Sequence, residues 1–473
     1  MKDHSRPPSN PIHSVPPGAS PLLVRLLGAA GRPLERFLRI EAASGVLLML
    51  AAAAALALAN SDWAPRYAAF WHTPVGVRFG EFTFERSLEW IVNDGLMAIF
   101  FFVVGLEIRR EIHCGELSEW RRAALPAAAA LGGMVAPATI YLLLSRNSEG
   151  SSGWGVPMAT DIAFAVGILT LLGKRVPPAL RVLLLALAVI DDLGAIVVIA
   201  MFYSSGIAVG GLLVAGAGLL GIRLMQRFGI RARTAYVVPA VVAWAGTYAA
   251  GVHPTIAGVL VGLMTPVRAW LGPLGFVSGV RHEIRELEST APSLLSSHEI
   301  ADHLRQVNVA RREALSPAES LIQTLHPWVA FGIMPVFALA NAGVTVAAIR
   351  GGAEATSVTW GVALGLLLGK PIGVLAATWL SLRLGISSLP SGITWRHLTV
   401  LGIVAGVGFT MALFIAQLAF SDGNLLGAAK LGVLGASAGA GVLALVTGWS
   451  LLPASVAGRH AATADEAEAS TEH

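Results

Sequence analysis

Residues 183–203 read LLLALAVIDDLGAIVVIAMFY, and the fold class follows from that stretch. A helix rises 1.5 Å per residue, so about 20 apolar residues cross the hydrocarbon core of a bilayer. This run is long enough, and Asp191 and Asp192 stand at its middle. An ionised side chain at that depth costs roughly 2.5 to 3.5 kcal/mol on insertion scales. A pair kept there needs partners, a neutral state or a function.

The rest of the chain agrees with a membrane setting. Soluble domains average about 45 to 50% apolar and about 25% charged residues. The 473 residues here are 55% apolar and 13% charged, with a mean hydropathy of +0.68. The lone cysteine, Cys114, excludes an internal disulfide and is read as incidental. A net charge of +4 is spread over short loops without aromatic interleaving, so no nucleic acid is expected as a partner. Residues 1–35 are polar and proline-rich, residues 454–473 are rich in Ala, Glu and Thr, and both are expected to be disordered cytoplasmic arms.

The composition predicts an all-α polytopic protein, with about twelve spans in a transporter domain over 36–453. Approximate limits are 41–60, 88–108, 123–144, 154–172, 179–203, 205–225, 235–250, 252–266, 325–345, 359–380, 399–420 and 430–452. The even-numbered loops carry the basic clusters: Arg109, Arg110, Arg121 and Arg122; Lys174, Arg175 and Arg181; Arg223, Arg227, Arg231 and Arg233. The positive-inside rule therefore puts both termini, and the long loop 267–320 with its six arginines, in the cytoplasm. On the opposite face, Val77–Phe84 (VRFGEFTF) reads either as a small hairpin or as an irregular loop.

Three more ionisable groups join the aspartate pair at depth: Asp161 in MATDIAFAVG, Lys370 in GLLLGKPIGVLAATWL, and Asp94 within the second span. Only four of the 33 basic residues are lysines, so composition does not account for one at Lys370. An ammonium can give up its proton when desolvated, which a guanidinium cannot do. Successive helical residues differ by about 100°, so Asp191 and Asp192 can each have their own partner. Two such close carboxylates are not both charged cheaply in a low dielectric, and their titrations are coupled. The pair can then hold either a proton or a hard cation such as sodium, with Thr160 offering a hydroxyl oxygen beside Asp161. The bland alternative, a buried salt bridge that locks two helices, fits one acid and one lysine better than it fits four groups on three spans.

Two spans are poor helices. Gly153, Gly155, Pro157 and Gly167 surround Thr160 and Asp161, while Gly402, Gly406 and Gly408 interrupt LGIVAGVGFTMALF. Interrupted hydrophobic segments in matching halves point to a transport site, because unwound backbone exposes carbonyls and half-helix ends carry partial charge. Close packing through small residues is the competing reading.

The motifs IVNDGLMAIFFFVVGLEIRRE, MATDIAFAVGIL, LAVIDDLGAI, GVHPTIAGV, LHPWVAFGIMPVFALANAGV, LLLGKPIG and GFTMALFIAQLAF, in this order over about 40–450, resemble the NhaA-type sodium/proton antiporter family. The resemblance implies inverted repeats relating spans three to five to spans ten to twelve, with two broken helices crossing near the aspartates. It implies Asp192 as the principal cation ligand and Asp191 as the partner of Lys370 when no cation is bound. Sodium is then held at Asp192 and Asp191, with Thr160 and Asp161 at the crossing completing the cation-binding set, and protons move on Asp191, Asp192 and Lys370. Glu107, Arg110 and His253 match positions linked to pH response, and Asp94, Gly406 and Gly408 match structural ones. The family exchanges sodium or lithium for more than one proton, is electrogenic, resides in the bacterial inner membrane among its lipids, and forms homodimers through an outer-face hairpin, here 77–84. No ATP motif, soluble nucleotide domain or cofactor site is visible in the chain, so the proton gradient is the expected energy source and no cofactor is expected.

The chain departs from the pattern in two places. Where the resemblance places an acid and a histidine of pH activation, upstream of LHPWVA, it has Ile322, Gln323 and Thr324. The cytoplasmic segment before them is longer than the pattern, and Glu283, Glu286, Glu313 and Glu319 are the acids available to substitute. Plainer readings stand beside the regulatory ones: His253 as a helix-start histidine, and Glu107 with Arg110 as an i, i+3 ion pair. The expected mechanism is alternating access to one midplane site, with cation and protons in competition. An intramembrane aspartyl protease is the enzymatic rival, but its carboxylates must face each other from separate helices. A cation channel, or a transporter of the same fold carrying another solute, is the other alternative.

Overall fold

The computed structural model describes residues 41–452, apart from 81, 147–148, 205, 231, 270, 290–296 and 346–351. The arms at 1–35 and 454–473 lie outside the described residues. Helices dominate: α1 Glu41–Ala59, α2 Ala64–Trp71, α3 Leu88–Cys114, α4 Trp120–Leu144, a 3-10 stretch Glu149–Met158 followed by α5 Ile162–Leu171, then α6 Pro178–Phe202, α7 Val209–Arg227, α8 Val237–Ala249 and α9 Thr255–Met264. After α10 Gly272–Ser289 and α11 Ser297–Ala314 come α12 Pro317–Asn341, α13 Gly352–Arg383, α14 Trp395–Ala405, α15 Phe409–Ala419 and α16 Gly423–Leu451.

Among the described residues seven helices are long and apolar enough to cross a membrane, and ten if each of three bent pairs is one span. The bends are 118° between α1 and α2, 46° between Glu149–Met158 and α5, and 43° between α14 and α15. Each predicted span overlaps helix, with breaks at 159–161 and 406–408, but α8 and α9 have only 13 and 10 residues and depend on neighbours for their backbone environment. Several limits need correction. α12 begins at Pro317 rather than 325, α13 extends over 352–383, and the loop 267–320 contains the paired helices α10 and α11. Charged turns look like loop to a hydropathy reading, whereas the helix continues past the apolar boundary with its polar face in water.

Helix, broken helix, helix occurs twice in sequence, as α4 through α6 and as α13 through α16. The two units meet along α4 and α13, where Gly132 and Gly373 bring backbone against backbone. A Cβ on Gly132 would collide with the Gly373 carbonyl and the Ala377 methyl. Such contact replaces the missing hydrophobic drive between helices in lipid. Gly132→Val is therefore expected to cost at least about 3 kcal/mol, because rigid backbone rather than a movable side chain blocks the new group. An unchanged melting temperature in detergent would remove this contact from the packing scheme.

The VRFGEFTF stretch is a hairpin, of β1 Pro74–Phe79 antiparallel to β2 Phe82–Ser87, with Val77 opposite Phe84. Gly80 has φ of 60°, the left-handed region that a tight turn requires and glycine adopts without strain. Trp90, just after the hairpin, packs edge-on against Phe84, Trp244 and Tyr248, and Arg86 donates to the Tyr248 hydroxyl at 2.6 Å. This aromatic group at helix ends suits a membrane–water boundary.

Candidate functional site

The break in the fourth span and the break in the eleventh hold each other. Asp161 donates its backbone N–H to the Val407 carbonyl at 2.8 Å, and Thr160 donates its hydroxyl to the Ala405 carbonyl at 2.9 Å. Thus α14 ends on groups from the other broken segment, since its last carbonyls have no partner within the helix. Asp161 then serves two helix starts with one carboxylate. Its Oδ1 accepts from Phe164 N at 3.0 Å, capping α5, and its Oδ2 accepts from Thr410 N at 3.2 Å and from the Thr410 hydroxyl. A negative group there faces the positive ends of two helix dipoles.

Gly406 and Gly408 permit the crossing by close approach. A Cβ on Gly406 would lie 2.5 Å from the Leu366 carbonyl oxygen, and one on Gly408 would lie 2.9 Å from a Leu366 methyl and 3.1 Å from the Ala159 carbonyl oxygen.

Asp191 and Asp192 sit mid-way along α6 and are 0% and 1% exposed. Asp191 Oδ2 accepts from the Thr160 hydroxyl at 2.8 Å and is ion-paired with Lys370 Nζ. The single hydroxyl hydrogen of Thr160 is thereby divided between Asp191 and the Ala405 carbonyl. Lys370 is wholly buried on α13, directly after a π-helical turn over Gly365–Gly369. Gly133 faces its stem, a Cβ there falling in ordinary contact with Lys370 Cδ at 3.5 Å and closer, at 3.0 Å, to a Val374 methyl. The second oxygens are different. Oδ1 of Asp191 and Oδ1 of Asp192 are both buried without any hydrogen-bond partner among the described residues. Buried acceptors in that condition are costly, and two on neighbouring residues form a cradle only in the sense that both are available to a group that brings positive charge.

The residues with expected pH roles make separate contacts. Glu107 and Asp161 are close enough to Asp192 to act on it electrostatically. Arg110 is ion-paired across to Glu319 at 3.5 Å rather than with Glu107, so the plain i, i+3 reading is replaced by an α3–α12 contact. Gln323 donates to the other oxygen of Glu319 at 3.2 Å, and Ile322 is buried beside Leu106 and Ala318. His253 has the position of a helix-start histidine. It precedes α9, with Nδ1 2.8 Å from the Thr255 hydroxyl, and its Nε2 lies 3.5 Å from Asp94 Oδ1. Asp94 itself lies in a π-helical turn, Ile91–Leu96. Thr410, Gly133 and the π-turns were not anticipated; the signals for them were GFTMALF, the small residues of α4, and Pro371 after Lys370.

The family model described as Na+/H+ antiporter 1 matches residues 35–447. The chain belongs to the NhaA-type sodium/proton antiporter family. It is 67% identical over 458 residues to the Na(+)/H(+) antiporter NhaA 2 of Myxococcus xanthus strain DK1622, covering 97% of each chain. Identity is 54% to the NhaA 2 antiporter of Sorangium cellulosum strain So ce56, over 98% of this chain and 99% of the relative. It is 51% to the NhaA antiporter of Janthinobacterium sp. strain Marseille, over 88% and 92%. The solved sodium proton antiporter MjNhaP1 from Methanocaldococcus jannaschii at pH 8 is similar with a TM-score of 0.49 at 12% identity, covering 91% of this chain and 97% of that one. The antiporter is thus a multi-pass membrane protein of a transporter family, and the protease reading falls with that placement.

Proposed function

We propose that this antiporter exports sodium or lithium in electrogenic exchange for more than one proton, by alternating access to the cradle of Asp191 and Asp192. The observation that carries this reading is the buried carboxylate oxygen on each of two neighbouring residues that has no hydrogen-bond partner among the described residues. A cation of oxygen-seeking character satisfies both, and protons on the same carboxylates exclude it. Asp192 is the principal ligand, since Asp191 is engaged by Lys370 and Thr160. When sodium enters, Asp191 exchanges the Lys370 ammonium for the cation, and Thr160 adds its hydroxyl oxygen. Asp161 is placed outside the ligand set as a pin of the crossing, because both its oxygens are occupied by helix N-terminal donors. Binding one or the other, never both, couples the flows.

The same reading places the chain in a bacterial inner membrane with both termini and the α10–α11 segment in the cytoplasm, and as a homodimer joined through the 74–87 hairpin. The proton gradient drives exchange without a cofactor. Dequenching of a pH-sensitive dye in everted vesicles tests it: sodium and lithium should collapse the gradient and potassium should not. An equal response to potassium, or none to any of the three, would overturn the proposal.

Regulation by pH is assigned to the cytoplasmic end of α3, with Glu319 standing where the usual acid is missing. The Arg110–Glu319 pair is partly exposed, with side chains 42% and 31% accessible, so it contributes only about 0 to 1 kcal/mol to stability. Glu319→Gln should therefore leave melting nearly unchanged. Freeing the Arg110 guanidinium favours proton loss from acids that it faces, so the activity–pH curve should move to lower pH by about half a unit, equivalent to about 0.7 kcal/mol. A curve superimposable on that of the unaltered protein would exclude Glu319 from the sensor.

A further inference from the structure

Helices α10 and α11 form an antiparallel pair outside the transport core. The antiparallel sense follows from three contacts: Leu271 N donates to the Glu313 carbonyl at 3.1 Å, a Cβ on Gly279 would meet Ala310 at 3.7 Å, and Glu283 meets His303. In this hairpin, away from the membrane carboxylates, we propose a binding site for a divalent transition-metal ion of the zinc type, held by Glu283, Glu286 and His303.

The three residues each present one ligand atom, and all three atoms lie within 4.8 Å of one another. His303 Nδ1 is 2.8 Å from Glu283 Oε2 and 3.9 Å from Glu286 Oε2. Tetrahedral zinc with bonds of about 2.0 to 2.2 Å holds its ligand atoms about 3.4 Å apart. The observed separations, from 2.8 Å to no more than 4.8 Å, lie on both sides of that value, so rotamer adjustments of about 0.5 to 1.4 Å complete the set. Spacing i, i+3 puts both glutamates on one face of α10, and the histidine comes from the facing helix. An imidazole with carboxylates is a donor set suited to zinc, with water in the fourth position. His282 stands on the same turn as a second imidazole, its Nε2 3.6 Å from the other oxygen of Glu286.

Charge and access favour an ion over a simple pair. His303 Nδ1 lies nearer to Glu283 than to Glu286, which also meets His282. A divalent ion at the same point balances both carboxylates. His303 and Glu283 are mostly covered, at 22% and 17%, while Glu286 at 53% keeps the approach open to water. A site of covered ligands with an open side has both preorganisation and an entry path. Bound there, the ion joins the two arms of the hairpin whose second arm leads through the Ser316 cap into α12.

The test uses the full-length, tag-free protein in detergent after removal of metals with a chelator. Zinc titrated calorimetrically should bind with one tight site per chain and raise the melting temperature, and cobalt should give the visible absorption of a four-coordinate ion. His303→Ala and Glu283→Gln should each weaken zinc binding at least about tenfold, whereas His298→Ala, which alters a separate His298–Asp302 pair, should not. Two substitutions at the site keep the test decisive if one impairs folding. Absence of a tight site, or equal affinity in both variants and the unaltered protein, would show that the cluster is an ion pair only. Neither result depends on transport activity, so the exchange mechanism stands or falls separately.

Discussion

Asp192→Asn should abolish sodium-induced proton release from the purified protein while leaving the fold intact. The side chain is buried, and its Oδ1 has no partner to lose. An amide keeps the shape, removes the charge and cannot exchange a proton near neutral pH. Sodium loses its principal anionic oxygen, and the exchange loses a titrating group. An apparent sodium affinity at least about a hundredfold weaker is expected, which corresponds to about 2.7 kcal/mol. Because neutralisation also relieves repulsion from Asp191, the melting temperature should hold or rise. Full exchange in this variant would remove Asp192 as the ligand; lost exchange with lost folding would mean the residue is structural instead.

The second large effect is on stability. Lys370→Ala leaves Asp191 buried without its countercharge, and breaking one half of a buried ion pair costs about 3 to 5 kcal/mol. A fall in melting temperature on the order of 5 °C is expected for a chain of this size, together with weakened exchange. Adding Asp191→Asn to Lys370→Ala removes the stranded charge, so the double variant should melt above Lys370→Ala alone. Equal melting of Lys370→Ala and the unaltered protein would show that the pair contributes nothing. Additive losses in the double variant would show that the two groups act independently. Both measurements address the displacement step, since an ammonium that sodium dislodges must first be held by Asp191.

The membrane spans could be read from sequence because hydrocarbon imposes one rule on every crossing segment: apolar side chains on a backbone bonded to itself. For the same reason Asp191, Asp192, Asp161 and Lys370 were conspicuous, each being expensive where it stands. α10 and α11 are not legible in the sequence because their many charges resemble loop composition, whereas amphipathic helices in water need only one apolar face. The ends of α12 and α13 were misplaced for a related reason, their outer turns being polar although helical.

Sequence alone thus determined which groups are buried in the membrane and that they call for a function, since the cost of a charge depends on depth and hardly on fold. Tertiary structure decided who meets whom. Asp161 pins two helix starts through Phe164 and Thr410, Arg110 reaches Glu319 rather than Glu107, and Lys370 pairs with Asp191. Those contacts join residues as far apart as 249 positions. No local rule encodes them, because hydrogen-bond direction and steric fit exist only once the broken helices have crossed.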